Sequence, residues 1–190
     1  MCLDPRHGET DWNKRGLVQG ISDFPLNHRG LEQAGRLADQ LRELNISYIF
    51  SSDQKRARQT AQIVASVCGC NLTVHSSLRE QNFGVAEGRP STEIRKAHSE
   101  LFSVIDDINH EDTNTTSLPE AETRLEVFNR AAGQLRAFLS QAHHETIGVS
   151  THGGVILSLM SVQFRQMVQI GNGEYLTLLY NGNDFYDFEL

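Results

Sequence analysis

The sequence predicts an α/β protein: a three-layer αβα sandwich around a mostly parallel central sheet, with an antiparallel C-terminal edge. Three observations carry this. Short strand-like runs alternate with helical stretches along the chain, a pattern that places parallel strands in the middle and helices on both faces. "TIGVS" (146–150) is a buried-looking strand that leads straight into the apolar helical stretch "GGVILSLMSVQF" (153–164). The tail reads "YLTLLY", then "NGND", then "FYDFEL", a hairpin with Asn181-Gly182 at its turn. The 190 residues suit one domain (1–190), with a variable cap or lid over about 90–118.

The elements follow in order. The approach to "RHGET" is only "MCLDP". Asp4 is a poor strand residue and Pro5 lacks an N–H, so the first strand should be short or distorted. Leu31, Ala34, Leu37, Ala38, Leu41 and Leu44 form a helical stripe over 31–44, with Asn27 as its N-cap. "ISYIF" (46–50) is a strand, and 55–68 is a helix stopped by Gly69. "NLTVH" (71–75) is a strand, and 91–105 reads as one helix with a capping start. "DDINHEDTNTTSL" (106–118) matches no period and reads as a polar, acidic surface loop. Leu125, Phe128, Ala132, Leu135 and Leu139 mark a long amphipathic helix over 120–142.

Composition narrows the function. The net charge of −7 argues against a nucleic-acid groove. No apolar run approaches the roughly 18 residues of a membrane span, and the first ten residues show no apolar stretch of a secretory signal. Cys2, Cys68 and Cys70 are expected as reduced thiols in a cytoplasmic protein. Cys68 and Cys70 are read as small hydrophobes in packing. A homodimer is compatible with the sequence, which does not fix the oligomeric state.

In an open α/β sheet, ligands bind beyond the carboxyl ends of the strands. Arg6, His7 and Gly8 follow the first strand, Arg56 the second, Glu80 the third and His152 the fourth. Two arginines offer forks that match phosphate oxygens. Two histidines offer a nucleophile and a second donor, and a glutamate can protonate a leaving alkoxide. Glycines after each histidine let backbone approach closely. No acidic cluster suited to Mg²⁺ is evident, so neither metal nor cofactor is expected. The set reads as phosphoryl transfer through a phosphohistidine.

"RHGET", "SSDQKRARQTA", "LREQNFGVAEG" and "VSTHGG" resemble, in order, the four signature segments of the histidine phosphatase superfamily, the phosphoglycerate mutase-like family. The resemblance implies that fold, with His7 as the phosphorylated nucleophile and Arg6, Arg56 and His152 completing the phosphate pocket. It implies Glu80 as the general acid, and Asn13 and Gln19 beside the transferred phosphate. The family register is what selects Arg56 over Arg58. Ala121-Glu122-Thr123 resembles the family's step into the long helix. Leu157 stands where many relatives carry an arginine.

The blander readings are specific. His7 could be a chance loop histidine, and His152 one satisfied at a helix start. Glu80 could be an ion-pair partner of Arg79. His143 and His144, adjacent on a helix end, would face solvent and not one metal. Trp12, Phe24 and Phe83 would be pocket wall or core.

The function expected is hydrolysis of small phosphomonoesters. One rival is a cofactor-dependent phosphoglycerate mutase, which would need extra cations above the pocket. None occurs from Ala97 to Thr123. Mutase relatives also tend to carry a tyrosine where Phe83 stands, and "FGVAEG" resembles the phosphatase branch. The other rival is a catalytically impaired phosphate-binding protein, which would bind inorganic phosphate without turning over an aryl phosphate.

Overall fold

A computed structural model describes residues 2–141 and 146–189, with only the backbone for 2–5. His143 and His144 lie outside the described residues. The strands are β1 (Cys2–Pro5), β2 (Tyr48–Ser52), β3 (Asn71–His75), β4 (Ile147–Ser150), β5 (Tyr175–Tyr180) and β6 (Phe185–Glu189). They form one sheet in the order β3-β2-β4-β1-β5-β6. β3, β2, β4 and β1 are parallel, and β5 and β6 add the antiparallel edge.

Alternation on the central strands produces the layers. Ile49 on β2 packs with Leu37, Leu41 and Val64, from α2 (His28–Leu41) and α3 (Lys55–Cys68). Its neighbour Phe50 packs on the other face with Val127, Leu135 and Leu159, from α6 (Arg124–Gln141) and α7 (Gly153–Phe164). Asn27 caps α2 by accepting from the Gly30 N–H at 2.8 Å. Gly69 ends α3 at φ 67°, the left-handed stop that glycine adopts without a Cβ penalty. Cys68 and Cys70 are half-buried beside the α2/α3 core, and burial raises both thiol pKa values.

β1 is as irregular as Asp4 and Pro5 predict. It lies between β4 and β5, but its parallel register with β4 covers only Cys2 and Leu3. The ladder is interrupted at Asp4 and Pro5 and resumes as a bridge from Arg6 to Thr151. On the other side Pro5 still sits opposite Tyr175.

The structure corrects two element readings and adds tethers to a third. Residues 91–105 form two helices, α4 (Ser91–Ala97) and α5 (Ser99–Ile105), separated by a non-helical His98. No side chain caps α4, whose cap position is Pro90. The break lets Ile94 on α4 and Leu101 and Phe102 on α5 share one small cluster with Ala86 and Leu118, and this packing overrides the helical propensity of the run. Segment 106–118 is largely exposed, but it is tied down. Thr113 is buried and donates to the Ile105 carbonyl at 2.8 Å, and Asn114 accepts from Ser161 at 2.9 Å. Finally, Leu31 and Leu125 lie outside the core, 44% and 36% exposed.

A short helix, α1 (Asp11–Lys14), follows the first motif. It starts on a capping box in which Thr10 and Asn13 bond reciprocally. Among the described residues no helix is long and apolar enough to cross a membrane.

Candidate active site

β1, β2 and β4 deliver Arg6-His7, the start of α3 and His152 to one end of the sheet. His7 is buried, and its Nδ1 lies 2.7 Å from the carbonyl of Gly8. A carbonyl only accepts, so Nδ1 carries the proton and Nε2 keeps its lone pair. Arg56 Nε donates to that Nε2 at 3.2 Å. Burial, then Arg56, hold His7 well below the usual imidazole pKa, so the ring is neutral, with its lone pair at Nε2.

Arg56 is fully buried, whereas Arg58 is exposed. Its Nη1 donates to the carbonyl of Ser22 and its Nη2 to that of Gly20, both at 2.9 Å. The loop 20–22 is held in turn by Glu87, which accepts from the N–H groups of Ile21 and Ser22 and from the Ser22 hydroxyl.

His152 stands 5.1 Å from His7, ring centre to ring centre. Its Nε2 is 2.9 Å from the Ser52 hydroxyl, which also accepts from the Gln54 N–H at 3.3 Å. Among the described residues the Ser52 hydroxyl has no other acceptor, so its hydrogen goes to His152 Nε2. His152 Nδ1–H is then a donor, and it has no protein partner.

Glu80 is also buried, so its carboxyl pKa is raised, though Arg56 and Arg6 pull against that shift. Its oxygens accept from the N–H groups of Gln81 and Gly154 at 2.8 and 3.2 Å. Arg79 is not its partner; Arg79 pairs with Asp53 at 2.6 Å. Gln19 accepts from the Thr10 hydroxyl at 2.6 Å, which leaves its Nε2 free. Asn13 uses Oδ1 on the Thr10 N–H at 3.1 Å. Arg6 Nη1 donates to the Ile170 carbonyl at 2.6 Å, and its Nε has no partner.

Among the described residues, the buried side-chain atoms without a hydrogen-bond partner are Arg6 Nε, Gln19 Nε2 and His152 Nδ1. All three are donors and all belong to the residues gathered around His7. Unpaired buried donors are costly, and an oxyanion placed among them removes that cost. Arg6, His7, Asn13, Gln19 and Glu80 line a cavity of about 630 Å³, while Arg56 and His152 stand behind them. The arrangement offers a neutral nucleophilic nitrogen, cations for an oxyanion and a carboxyl group able to move a proton.

The glycines that follow the two histidines differ in how closely they are packed. A Cβ on Gly8 would lie 2.4 Å from the carbonyl oxygen of Gly30 at the start of α2. A Cβ on Gly153 would meet only ordinary contacts, but one on Gly154 would lie 2.4 Å from Glu80 Oε1. At the His152 motif it is therefore the second glycine whose Cβ would displace the Glu80 carboxyl group.

Two groups of contributors escape the sequence reading. Gln54 accepts from the Glu80 N–H at 2.8 Å and donates to the Gly20 carbonyl at 3.0 Å. Arg130 donates to the carbonyls of Ser77, Arg79 and Glu80 while gripping Glu122 with two nitrogens. Gln54 lies inside a quoted motif, and Glu122 inside the step into the long helix. Arg130 carries no local signal.

The cation-free stretch from Ala97 to Thr123 does not leave the cavity without outer cations. Arg95 and Arg124, which flank it, both line the wall with Phe83, Ile94, Phe102 and Leu157. Trp12 and Phe24 pack on each other, with ring centres 4.4 Å apart.

The family model for the histidine phosphatase superfamily (branch 1) matches residues 5–185. A relative from Escherichia fergusonii named "Probable phosphoglycerate mutase GpmB" is 35% identical over 156 residues, covering 82% of this chain and 71% of that protein. A protein of the same name from Escherichia coli K12 is 50% identical over 84 residues, but the match spans only 39% of its length and 44% of this chain. Among solved structures, Bacillus stearothermophilus YhfR superposes with a TM-score of 0.83 at 26% identity, covering 97% of this chain and 93% of that one. A mycobacterial glucosyl-3-phosphoglycerate phosphatase complexed with VO3 reaches 0.88 at 23% identity, covering 100% and 96%, a likeness of fold. With a family match running through nearly the whole chain and the motif residues gathered around His7, this protein belongs to the histidine phosphatase superfamily.

Proposed function

We propose that the protein is a metal-independent phosphomonoester hydrolase that acts on small phosphorylated metabolites through a phosphohistidine. The observation that carries this reading is the trio of unpaired buried donors, Arg6 Nε, Gln19 Nε2 and His152 Nδ1, around a neutral His7. His7 Nε2 attacks phosphorus as the bond to the leaving oxygen breaks, and Glu80 gives that oxygen its proton. Arg6, Arg56 and His152 stabilise the charge on the equatorial oxygens, and Asn13 and Gln19 help to hold them. Water then attacks the phosphohistidine, Glu80 takes the proton from the water, and the P–N bond breaks to release phosphate.

The test is turnover of 4-nitrophenyl phosphate together with trapping of an acid-labile phosphoenzyme. Both should be present in the native chain and absent in His7→Ala. Phosphate binding without turnover would replace this reading with that of an impaired binding protein.

A mutase reading has one observation in its favour. Arg95 and Arg124 on the cavity wall are the kind of outer cations a bisphosphate would need, and the relatives named above carry the mutase name. Against it, a three-carbon glycerate would fill little of a 630 Å³ cavity. A loosely filled site leaves room for water, the acceptor in hydrolysis. Inorganic phosphate is the expected main product from 3-phosphoglycerate. Rapid conversion to 2-phosphoglycerate, stimulated by catalytic bisphosphate, would establish the mutase instead.

A further inference from the structure

The cavity continues well beyond the residues around His7. Apolar side chains make up much of its outer wall: Phe83, Ile94, Phe102, Leu118, Leu157 and Met167 all line it. Five charged side chains line the whole space: Arg6 and Glu80 at the inner end, and Arg95, Asp106 and Arg124 further out. Two of the outer three neutralise one another. Arg95 pairs with Asp106 at 2.5 Å and lies 4.5 Å above the Phe102 ring.

Arg124 has no such partner. It is only 5% exposed. Its Nη1 makes all of its hydrogen bonds, to the Ile105 carbonyl at 2.7 Å, the Thr113 hydroxyl at 3.3 Å and Met167 Sδ at 3.5 Å. Among the described residues no atom accepts from its Nε or Nη2. Asp106, which attracts it, is already paired with Arg95, so the buried Arg124 guanidinium has no carboxylate of its own, an expensive arrangement. It is also the fork that matches a carboxylate or a phosphate.

Arg124 and Arg6 line the same cavity, so one ligand can lie between them. Arg6 donates to Ile170 and Arg124 to Met167, both on the segment that closes one side of that cavity. A cavity of this size suits a ligand far larger than phosphate.

We infer that the substrate is a phosphomonoester whose leaving group carries a second anionic oxygen group, a carboxylate or phosphate, on an apolar body. Arg124 binds the second anion, and the body lies against Phe83, Ile94, Phe102 and Leu157. This rests on the phosphatase reading for the reactive end. Arg95, already paired with Asp106, bounds the subsite without holding the anion.

Non-hydrolysable phosphonates test the subsite apart from catalysis. A series of phosphonates bearing a terminal carboxylate on alkyl or phenyl spacers of increasing length is compared with the matching methyl esters, by calorimetry. At the best length the acid should bind about tenfold or more tightly than its ester, the worth of a charge-assisted hydrogen bond. Arg124→Met should erase that preference, Arg124→Lys should keep most of it, and Arg95→Met should leave it in place. A terminal phosphonate in place of the carboxylate shows which anion is preferred.

Because Arg124 also ties Ile105 and Thr113, ester binding by the Met variant serves as the check on folding. If it is intact, loss of the acid preference belongs to the subsite. Equal binding of acid and ester at every length in the native protein would overturn the inference, even if 4-nitrophenyl phosphate is hydrolysed. No turnover of any monoester, with the acid preference present, would instead overturn the phosphatase reading and leave the Arg124 subsite standing.

Discussion

His7 is set by two hydrogen bonds of opposite sense: Nδ1–H donates to the Gly8 carbonyl, and Nε2 accepts from Arg56. Both favour the neutral tautomer with its lone pair at Nε2, and burial beside Arg56 keeps the ring from protonating at its ordinary value of 6.5. Glu80 is shifted the other way, above its ordinary 4.5, by burial. If His7 must be neutral and Glu80 protonated, kcat/KM falls on the acid side only well below pH 6.5, and on the alkaline side as Glu80 ionises above pH 4.5. Glu80→Gln should flatten the alkaline limb. It should also slow alkyl phosphates far more than aryl phosphates, whose leaving oxygen needs little protonation. Equal losses on both substrates, with the alkaline limb intact, would move the proton to another group. At this scale the sequence was legible wherever a motif fixed the register, as with Arg56 over Arg58. It was silent on Arg124, because nothing local distinguishes a helix-start arginine in solvent from one facing a cavity.

The loop that presents Glu80 has no regular hydrogen bonding of its own beyond short 3₁₀ turns at Ser76–Leu78 and Gly84–Ala86. Its shape comes from α6. Arg130 donates to three of its carbonyls, and Glu122, just before α6, accepts from both Arg130 and the Asn82 N–H. Arg130 is therefore a positioning residue, acting through Glu80. A lysine offers a point charge where the fork makes five hydrogen bonds. Arg130→Lys should lower kcat about tenfold on alkyl phosphates, a loss of about 1.4 kcal/mol, and less on aryl phosphates. Steady-state kinetics on the two classes decides this, since a general loosening would slow both alike. Gly154→Ala should share the signature, because its Cβ would press on Glu80 Oε1. Elements were legible where a stripe, a glycine stop or an apolar run marked them, as in α2, α3 and α7. The split of 91–105 at His98 was hidden. No breaker residue marks it, and the packing of Ile94, Leu101 and Phe102 around Leu118 that requires it is tertiary.

On the scale of the whole molecule, the alternation of strands and helices was enough to anticipate a sheet covered on both faces. The cavity was not readable, because its wall is assembled from residues as far apart as Leu17 and Ile170. Among the described residues no group of three His, Cys, Asp or Glu side chains is placed to hold a metal ion. Arg6, Arg56 and His152 already bring positive charge and donors to an oxyanion, so turnover is expected to persist in excess EDTA, and loss of activity restored by Mg²⁺ or Zn²⁺ would sink the phosphohistidine scheme. A second consequence concerns stability. An acidic protein of net charge −7 concentrates Arg6 and Arg56 and three unpaired buried donors at one end of its sheet. An oxyanion that satisfies these donors binds the folded chain and not the unfolded one, so it must stabilise the fold. At one hundred times its dissociation constant, phosphate or vanadate should add about 2.7 kcal/mol, or about 5–11 °C in Tm for a domain of this size. Chloride at matched ionic strength should add far less, and Gln19→Leu should reduce the phosphate shift by removing one donor. A Tm that responds to ionic strength alone, and equally in Gln19→Leu, would mean that the three donors do not form an anion site.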